Sequence, residues 1–467
     1  MSVASAATLP TARAWRVWVR RARRQHHARS LGDVLTDAYM LLWLFLVYGG
    51  ALVASVRRHL AHPSGTTFAG PEPFWLGVSV LLVGSGLAWQ ALRAVGPLMA
   101  TPAEQAWGIS TPVGRRPWLF PRFLALVLSI GVGLALVAAA VSILGLHHNE
   151  PGWAALAAGA YGTAGMASLV SAQTAGGWRW PRLAGGLLVG AGALVAVGVV
   201  TAHYTGRPFP APGVSVAPAL AVIGVPLAIL ALALAWRALP RMDMAALSAG
   251  AELATATLSA TVWLDPSLLS GVLEVRRWRR VGTVRSRPFH GGPWRRTWVL
   301  LQAELRRQRR RPGSLAVWAG LALALYALTT VAPSAVGVGR LLLGYVAAGR
   351  LMSGLRALSA SPGLRRAVGG STREQHVAHL VVPALGMALW WTLTAPAGGV
   401  HLDLLEALLI AGVVGAAFRA ATRPPMSYGG AVFETPFGLF PMELVLQLAR
   451  GPDLLGGVIL LRMLFGR

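Results

Sequence analysis

Runs of about 20 mostly apolar residues recur along this chain, and each is long enough to cross a bilayer as an α-helix. In the first half they cover 39–56, 74–92, 123–146, 152–171, 183–202 and 217–236. In the second they cover 315–331, 334–351, 377–394 and 402–420, followed by two shorter runs, 437–448 and 454–465, around Arg450-Gly451-Pro452. A broken pair of this kind fits a helical hairpin or an interrupted helix. The expected fold is therefore all-α: a polytopic integral membrane protein of about 10–12 transmembrane helices.

The connections between the runs give an orientation. Of the 467 residues 55% are hydrophobic, yet the formal net charge is +26, because all 42 basic residues are arginine and gather at particular run ends. Connections facing the cytoplasm carry the excess of basic residues. Arg13, Arg16, Arg20, Arg21, Arg23, Arg24 and Arg29 place the N-terminus there. Counting forward, the same side receives Arg93, Arg115, Arg116 and Arg122, then Arg179 and Arg182, the dense stretch Arg237 to Arg311, and Arg356, Arg365, Arg366 and Arg373. The other side receives His147-His148-Asn149-Glu150-Pro151, the proline-rich 208–212 and Ala332-Pro333; Arg57, Arg58 and Arg207 break the pattern. The localisation implied is a cell membrane, crossed many times. No cleavable signal is expected, since the first apolar run is too long for an h-region.

Composition also excludes functions. Without lysine the chain cannot carry the G-x-x-x-x-G-K-[ST] phosphate loop, so any ATP hydrolysis must come from a partner. Without cysteine there are no disulfides, thiolate zinc sites or iron–sulfur clusters. All-arginine usage beside abundant Ala, Gly and Val reads as coding bias. Arginines at span ends follow the positive-inside rule, which leaves no nucleic-acid footprint. No cofactor is implied.

The second half echoes the first. Leu92-Arg93-Ala94 is matched by Leu355-Arg356-Ala357, Ala100-Thr101-Pro102 by Ala360-Ser361-Pro362, and Ala106-x-Gly108-x-Ser110-Thr111 by Ala367-x-Gly369-x-Ser371-Thr372, at a nearly constant offset. The division expected is a basic amphipathic segment 1–37, a first bundle of about six spans over 38–236, an Arg-rich cytoplasmic linker 237–314 with helices, and a second bundle over 315–467. A basic helix precedes each bundle. Trp15 and Trp18 share a face with Val19 and Ala22 while Arg16, Arg20, Arg23 and Arg24 occupy the others, and Trp294, Trp298, Leu301 and Leu305 repeat the stripe beside Arg295, Arg296, Arg306 and Arg307. Such helices lie in the interface among anionic headgroups. They either anchor the topology or also dock a partner.

A cytoplasmic amphipathic helix, six spans and a polar connection after the second span, all repeated, resembles the permease subunit of ABC-2-type exporters with both halves fused. The chain looks closest to a group of such proteins from high-GC Gram-positive bacteria. The resemblance implies that a separate nucleotide-binding subunit contacts the helix before the first span and the connection after the second. Carried onto this chain, it implies docking by Glu104, Trp107, Arg115 and Arg116 in one half, and by Arg365, Arg366, Arg373 and Glu374 in the other. The cargo stays unknown, and whether two copies assemble stays open. The interrupted tail departs from a complete second bundle.

Charges inside spans are costly and mark function by default. Arg340 lies about a turn inside one span, and Asp403 and Glu406, one turn apart, sit at similar depth in another, so that a pairing is geometrically reasonable. Such a pair lines a cargo path, holds the bundle together, or snorkels. Glu374, His376 and His379 have helical ligand spacing but lack the further ligands of a zinc site. The rival reading is an intramembrane enzyme for lipid-linked substrates, with Asp33 and Asp37 as boundary carboxylates; capping at Ser30 explains Asp33 equally well. A non-transporting scaffold is the third.

Overall fold

The computed structural model describes residues 72–100, 114–145, 151–174, 180–207, 216–243, 295–398, 403–424, 432–435 and 438–465, with isolated positions elsewhere. The expected first span, 39–56, lies outside them apart from Tyr39. The helices fall into two compact units, and α4 contributes its first half to one and its second half to the other.

The first unit contains α1 (Glu72–Val95), α2 (Arg115–Gly145), α3 (Pro151–Thr174), the start of α4 (Trp180–Thr205) and α5 (Val216–Ala238). At its centre α3 packs along both α2 and α5. Lipid offers apolar side chains no less than another helix does, so helices there associate through close packing of small residues. α3 is built for this: its buried positions include Ala157, Ala160, Gly162, Ala164 and Ala167, facing Ala228, Ala231 and Ala235 of α5. A Cβ on Gly159 would lie 3.2 Å from the Gly131 carbonyl of α2. The same logic joins α1 to α4, where Ser79 Oγ donates to the Gly192 carbonyl at 2.7 Å and Gly86 faces Gly185.

The second unit holds the rest of α4, then α6 (Arg295–Arg309), α7 (Pro312–Val331), α8 (Val336–Leu351), α9 (Ser353–Ala360), α10 (Pro362–Val368), α11 (Thr372–Gly398) and α12 (Leu404–Ala421). It ends with strands β1 (Val432–Thr435) and β2 (Gly438–Pro441), then α13 (Met442–Ala449) and α14 (Pro452–Phe465). Its core is bulkier than that of the first unit: Trp390, Trp391 and Met387 of α11 pack with Leu341 of α8 and Leu409 and Val413 of α12.

Among the described residues, α1, α2, α4, α5, α7, α11 and α12 are the seven helices long and apolar enough to cross a membrane, and α8 with α9 forms an eighth candidate bent by 60°. The protein is thus a multi-pass, helical membrane protein. α3 has 24 residues but owes its hydrophobicity to Ala and Gly. α14 has 14 residues, about 21 Å of helix, short of a bilayer core of about 30 Å.

Three local expectations are corrected. α2 begins at Arg115, so Arg115, Arg116 and Arg122 lie on a helix rather than in a loop. α11 likewise begins at Thr372, because Ser371 Oγ accepts from the Glu374 N–H at 3.1 Å and caps it. The run 437–448, expected as a helix, opens as the second strand of an antiparallel hairpin pairing Phe433 with Phe440, the one departure from all-α among the described residues. Alternating Val432-Phe433-Glu434-Thr435 favours the strand, and prolines at 436 and 441 prevent a helix from running through.

Close approach of α1 and α4 makes a test. A Cβ at Gly86 would lie 2.7 Å from the Gly185 carbonyl and from Val189 Cγ2, whereas Gly77 on the same helix has nothing within 4 Å. Gly86→Val is expected to cost about 1–3 kcal/mol and lower the melting temperature in detergent, with Gly77→Val as the neutral control. Equal melting of the two variants would mean that these backbones are not in contact.

Candidate functional site

The second unit buries charge at two places. Near the start of α8, Arg340 Nη1 donates to Glu406 Oε2 of α12 at 3.2 Å, and its Nη2 donates to the Trp391 carbonyl of α11 at 2.8 Å. The Trp391 indole N–H donates to the same Glu406 oxygen at 2.6 Å, and the Arg340 guanidinium lies 4.3 Å from the Trp391 ring centroid. Arg462 of α14 completes the set, donating through Nη1 to Glu406 Oε1 at 2.8 Å. Both carboxylate oxygens of Glu406 are therefore engaged, by two guanidinium groups and an indole. Gly337 makes room, since a Cβ there would meet Arg462 Nε at 2.6 Å.

Arg340 and Glu406 thus meet, as their depths in the sequence allow. Asp403 does not join them: it is exposed and caps α12, its Oδ1 accepting from the Glu406 N–H at 2.8 Å. Arg462 is the member that the sequence reading missed. Its short, interrupted run hid it, and only the fold brings α14 against α8 and α12.

The other cluster lies at the opposite end of α8, beside the arginine-rich helices. Glu304 of α6 has no exposed surface. Its Oε2 accepts from His379 Nδ1 of α11 at 2.9 Å, its Oε1 accepts from Gln308 Nε2 at 2.9 Å, and Arg307 Nε lies 3.8 Å away. Gln308 Nε2 also donates to the Leu351 carbonyl at 2.6 Å, where α8 ends and the chain bends into α9. Gln375, also buried, donates to the carbonyls of Arg365 at 3.0 Å and Gly369 at 2.8 Å, fixing α10 to α11. Gly369 and Gly370, with φ of 68° and 84°, need glycine to make the turn between them.

These contacts collect several expected residues on one surface. Arg366 and Arg373 are exposed, and Arg365 and Glu374 are half-buried. Glu374 Oε1 accepts from Thr297 Oγ1 of α6 at 3.4 Å, and a Cβ on Gly370 would meet both Glu374 Oε2 and Arg296 Nη1 within 3 Å. α6 itself has two faces. Leu300, Glu304 and Gln308 point into the protein, while Trp298 and Leu305, members of the expected apolar stripe, are 45% and 46% exposed. His376, one of the helically spaced histidines, stacks edge-on against Phe418 instead of pointing toward His379's partner.

In the first unit Arg115 and Arg116 are engaged within the protein, whereas Arg93, Arg237 and Arg241 are exposed. Arg115 Nη1 donates to the Met242 carbonyl, and the Arg116 guanidinium lies 4.9 Å from the Trp236 ring centroid. The connection after α1 is held in place too: Gly96, with φ of 83°, turns the chain, and the Gln173 side chain both donates to the Leu98 carbonyl at 2.8 Å and accepts from the Leu98 N–H at 3.2 Å. Trp15, Trp18, Arg20, Arg24, Asp33, Asp37, Glu104, Trp107 and Trp294 lie outside the described residues.

Burying Glu406 between two arginines makes its removal expensive. Glu406→Ala strands two guanidinium groups and is expected to cost about 3–5 kcal/mol, read as a lower melting temperature in detergent. Asp403→Ala, losing only a cap, is expected to cost about 1 kcal/mol. If the two variants melt together, Glu406 is not the anchor described.

A family model described as a family of unknown function, DUF6297, matches residues 71–431, and the chain belongs to that family. The matched stretch contains Glu304, Arg340, His379 and Glu406 and stops short of Arg462. Neither the curated proteins nor the solved structures contain a match to this chain.

Proposed function

We propose that this member of the family is the membrane-spanning permease subunit of an ATP-driven, ABC-2-type exporter, forming the translocation path while a separate ATPase docks on its cytoplasmic face. The observation that carries the reading is the surface shared by α6, the Gly369-Gly370 turn and the start of α11. It presents Arg296, Arg366 and Arg373 outward, and directly beneath it Glu304 and Gln308 tie α6 to the end of α8 and to α11. An acidic partner surface would meet these arginines, and its movement would reach spanning helices without an intervening flexible loop. In this reading the protein sits in the cell membrane with its N-terminus and arginine-rich ends in the cytoplasm. The two halves are repeated bundles, each preceded by an interfacial helix against anionic headgroups; Trp298 and Leu305 on the open side of α6 suit that position.

Arg115 and Arg116, engaged within the first unit, make poor docking candidates, which shifts the weight to the second half. The enzyme alternative loses ground at the two buried carboxylates, because Glu304 and Glu406 have both oxygens occupied by donors.

The test is a pull-down of the tagged chain from gently solubilised membranes. A nucleotide-binding subunit is expected to accompany it, and Arg366→Glu or Arg373→Glu is expected to reduce that subunit at least about tenfold while membrane insertion is unchanged. Undiminished co-purification in both variants would remove the docking surface. The absence of any ATPase, under conditions that preserve a known permease complex, would remove the exporter reading itself.

A further inference from the structure

We infer that Glu304 is a positioning residue, a latch that makes α6, the break between α8 and α9, and α11 move as one piece. Its place in transport rests on the exporter reading; the latch does not.

α6 is among the most arginine-rich segments of the chain, with Arg306, Arg307 and Arg309 in its last turn, yet the residue it buries completely is a carboxylate. Burial of a charge costs several kcal/mol unless it is paired and hydrogen-bonded. Glu304 meets that requirement with groups from separate elements, His379 from α11 and Gln308 from its own helix, with Arg307 at 3.8 Å. Gln308 extends the chain of bonds to the Leu351 carbonyl, one of the acceptors that a helix leaves without an intrahelical partner at its C-terminus. The bend there is 60°. Directly after it, Gly354 lies so close that a Cβ would overlap Glu304 Oε2. The carboxylate thus occupies the space that any other residue at 354 would fill.

Hydrogen bonds in a buried polar network strengthen one another, and leaving any one unmade is costly. Releasing α6 from α8 and α11 would strip the Glu304 carboxylate of its His379 partner and the Leu351 carbonyl of its donor, so the three elements hold together as a unit. A push on the arginine surface of α6 and α10 reaches the end of α8 and the body of α11 through this knot.

The chain contains no cysteine, so pairs of spin labels can be placed without background. Labels at Trp298→Cys on α6 and Ala360→Cys on α9, both exposed positions, report the first joint, and Trp298→Cys with Val377→Cys on α11 reports the second. In full-length protein in lipid nanodiscs both pairs are expected to give single narrow distance distributions. Glu304→Ala and Gly354→Ala are each expected to broaden or shift them by about a helical turn, ~5 Å. The conservative Glu304→Gln keeps the shape and the oxygen that accepts from Gln308, and its NH2 can donate to His379 Nδ1 in the other imidazole tautomer, so it is expected to stay near the parent. Because both alanine variants act on one contact, the double variant should be no broader than Glu304→Ala alone. Unchanged distributions in Glu304→Ala and Gly354→Ala, or additive effects in the double, would overturn the latch. If Glu304→Ala fails to insert, Gly354→Ala and His379→Ala carry the same test, with the same broadening expected. The measurement needs no ATPase, so its failure and a failed pull-down remain separate results.

Discussion

Low dielectric governs both ends of the second unit. A carboxylate buried in hydrocarbon or under a helix must find donors, and the donors must come from whatever elements the fold brings near. At one end Glu406 draws in Arg340, Arg462 and the Trp391 indole, and so binds α8, α11, α12 and α14 to each other. At the other, Glu304 draws in His379 and Gln308 and binds α6 to α8 and α11. The apolar core of Trp390, Trp391, Met387 and Leu409 lies between two polar clasps. Apolar packing in lipid has no solvent to drive it and tolerates sliding. Directional bonds do not, and they set which helices meet and at what height.

The first unit solves the same problem with small residues. Ala and Gly along α3 let backbones of α2 and α5 come within van der Waals contact, while Arg115 and Arg116 at the start of α2 reach a carbonyl and an aromatic face. The two units differ in what sets their helix contacts. One relies on extended close packing of small residues, the other on a bulky apolar core framed by two buried carboxylates.

Much of this could be read from the chain. Apolar runs of spanning length marked the approximate limits of most of the long helices, because that signal is carried by residues next to one another; of the roughly 10–12 spans expected, seven, or eight with the bent α8–α9, are long and apolar enough among the described residues. Arg340 could be matched to the Asp403–Glu406 pair because these charges interrupt apolar runs at similar depth, but only the fold shows that Glu406 takes the contact while Asp403 caps the helix. Arg462 could not, since nothing local distinguishes an arginine near the end of a short run from one at a membrane boundary. Glu304 was hidden for a different reason. On a helix with a clear Trp298–Leu305 stripe the apolar face draws attention, yet the protein buries the other side and leaves the stripe open. The start of α2 was misplaced because Arg115 and Arg116 read as loop charges, whereas a carbonyl at Met242 and the ring of Trp236 give them places on a helix. The β-hairpin was missed because its apolar residues were counted toward a helix despite flanking prolines.

The clasp at Glu304 also bears on how the chain is assembled. His379, its principal partner, lies 75 residues further along, and Gly354 and Leu351 lie between. Chains emerge from the ribosome N-terminus first. α6 therefore leaves the ribosome with a carboxylate that has nowhere dry to go, and the solvent must hold it until α8 and α11 have been made and inserted. The contact with His379 can close only after α11 has been made, later than the contact between α6 and the end of α8.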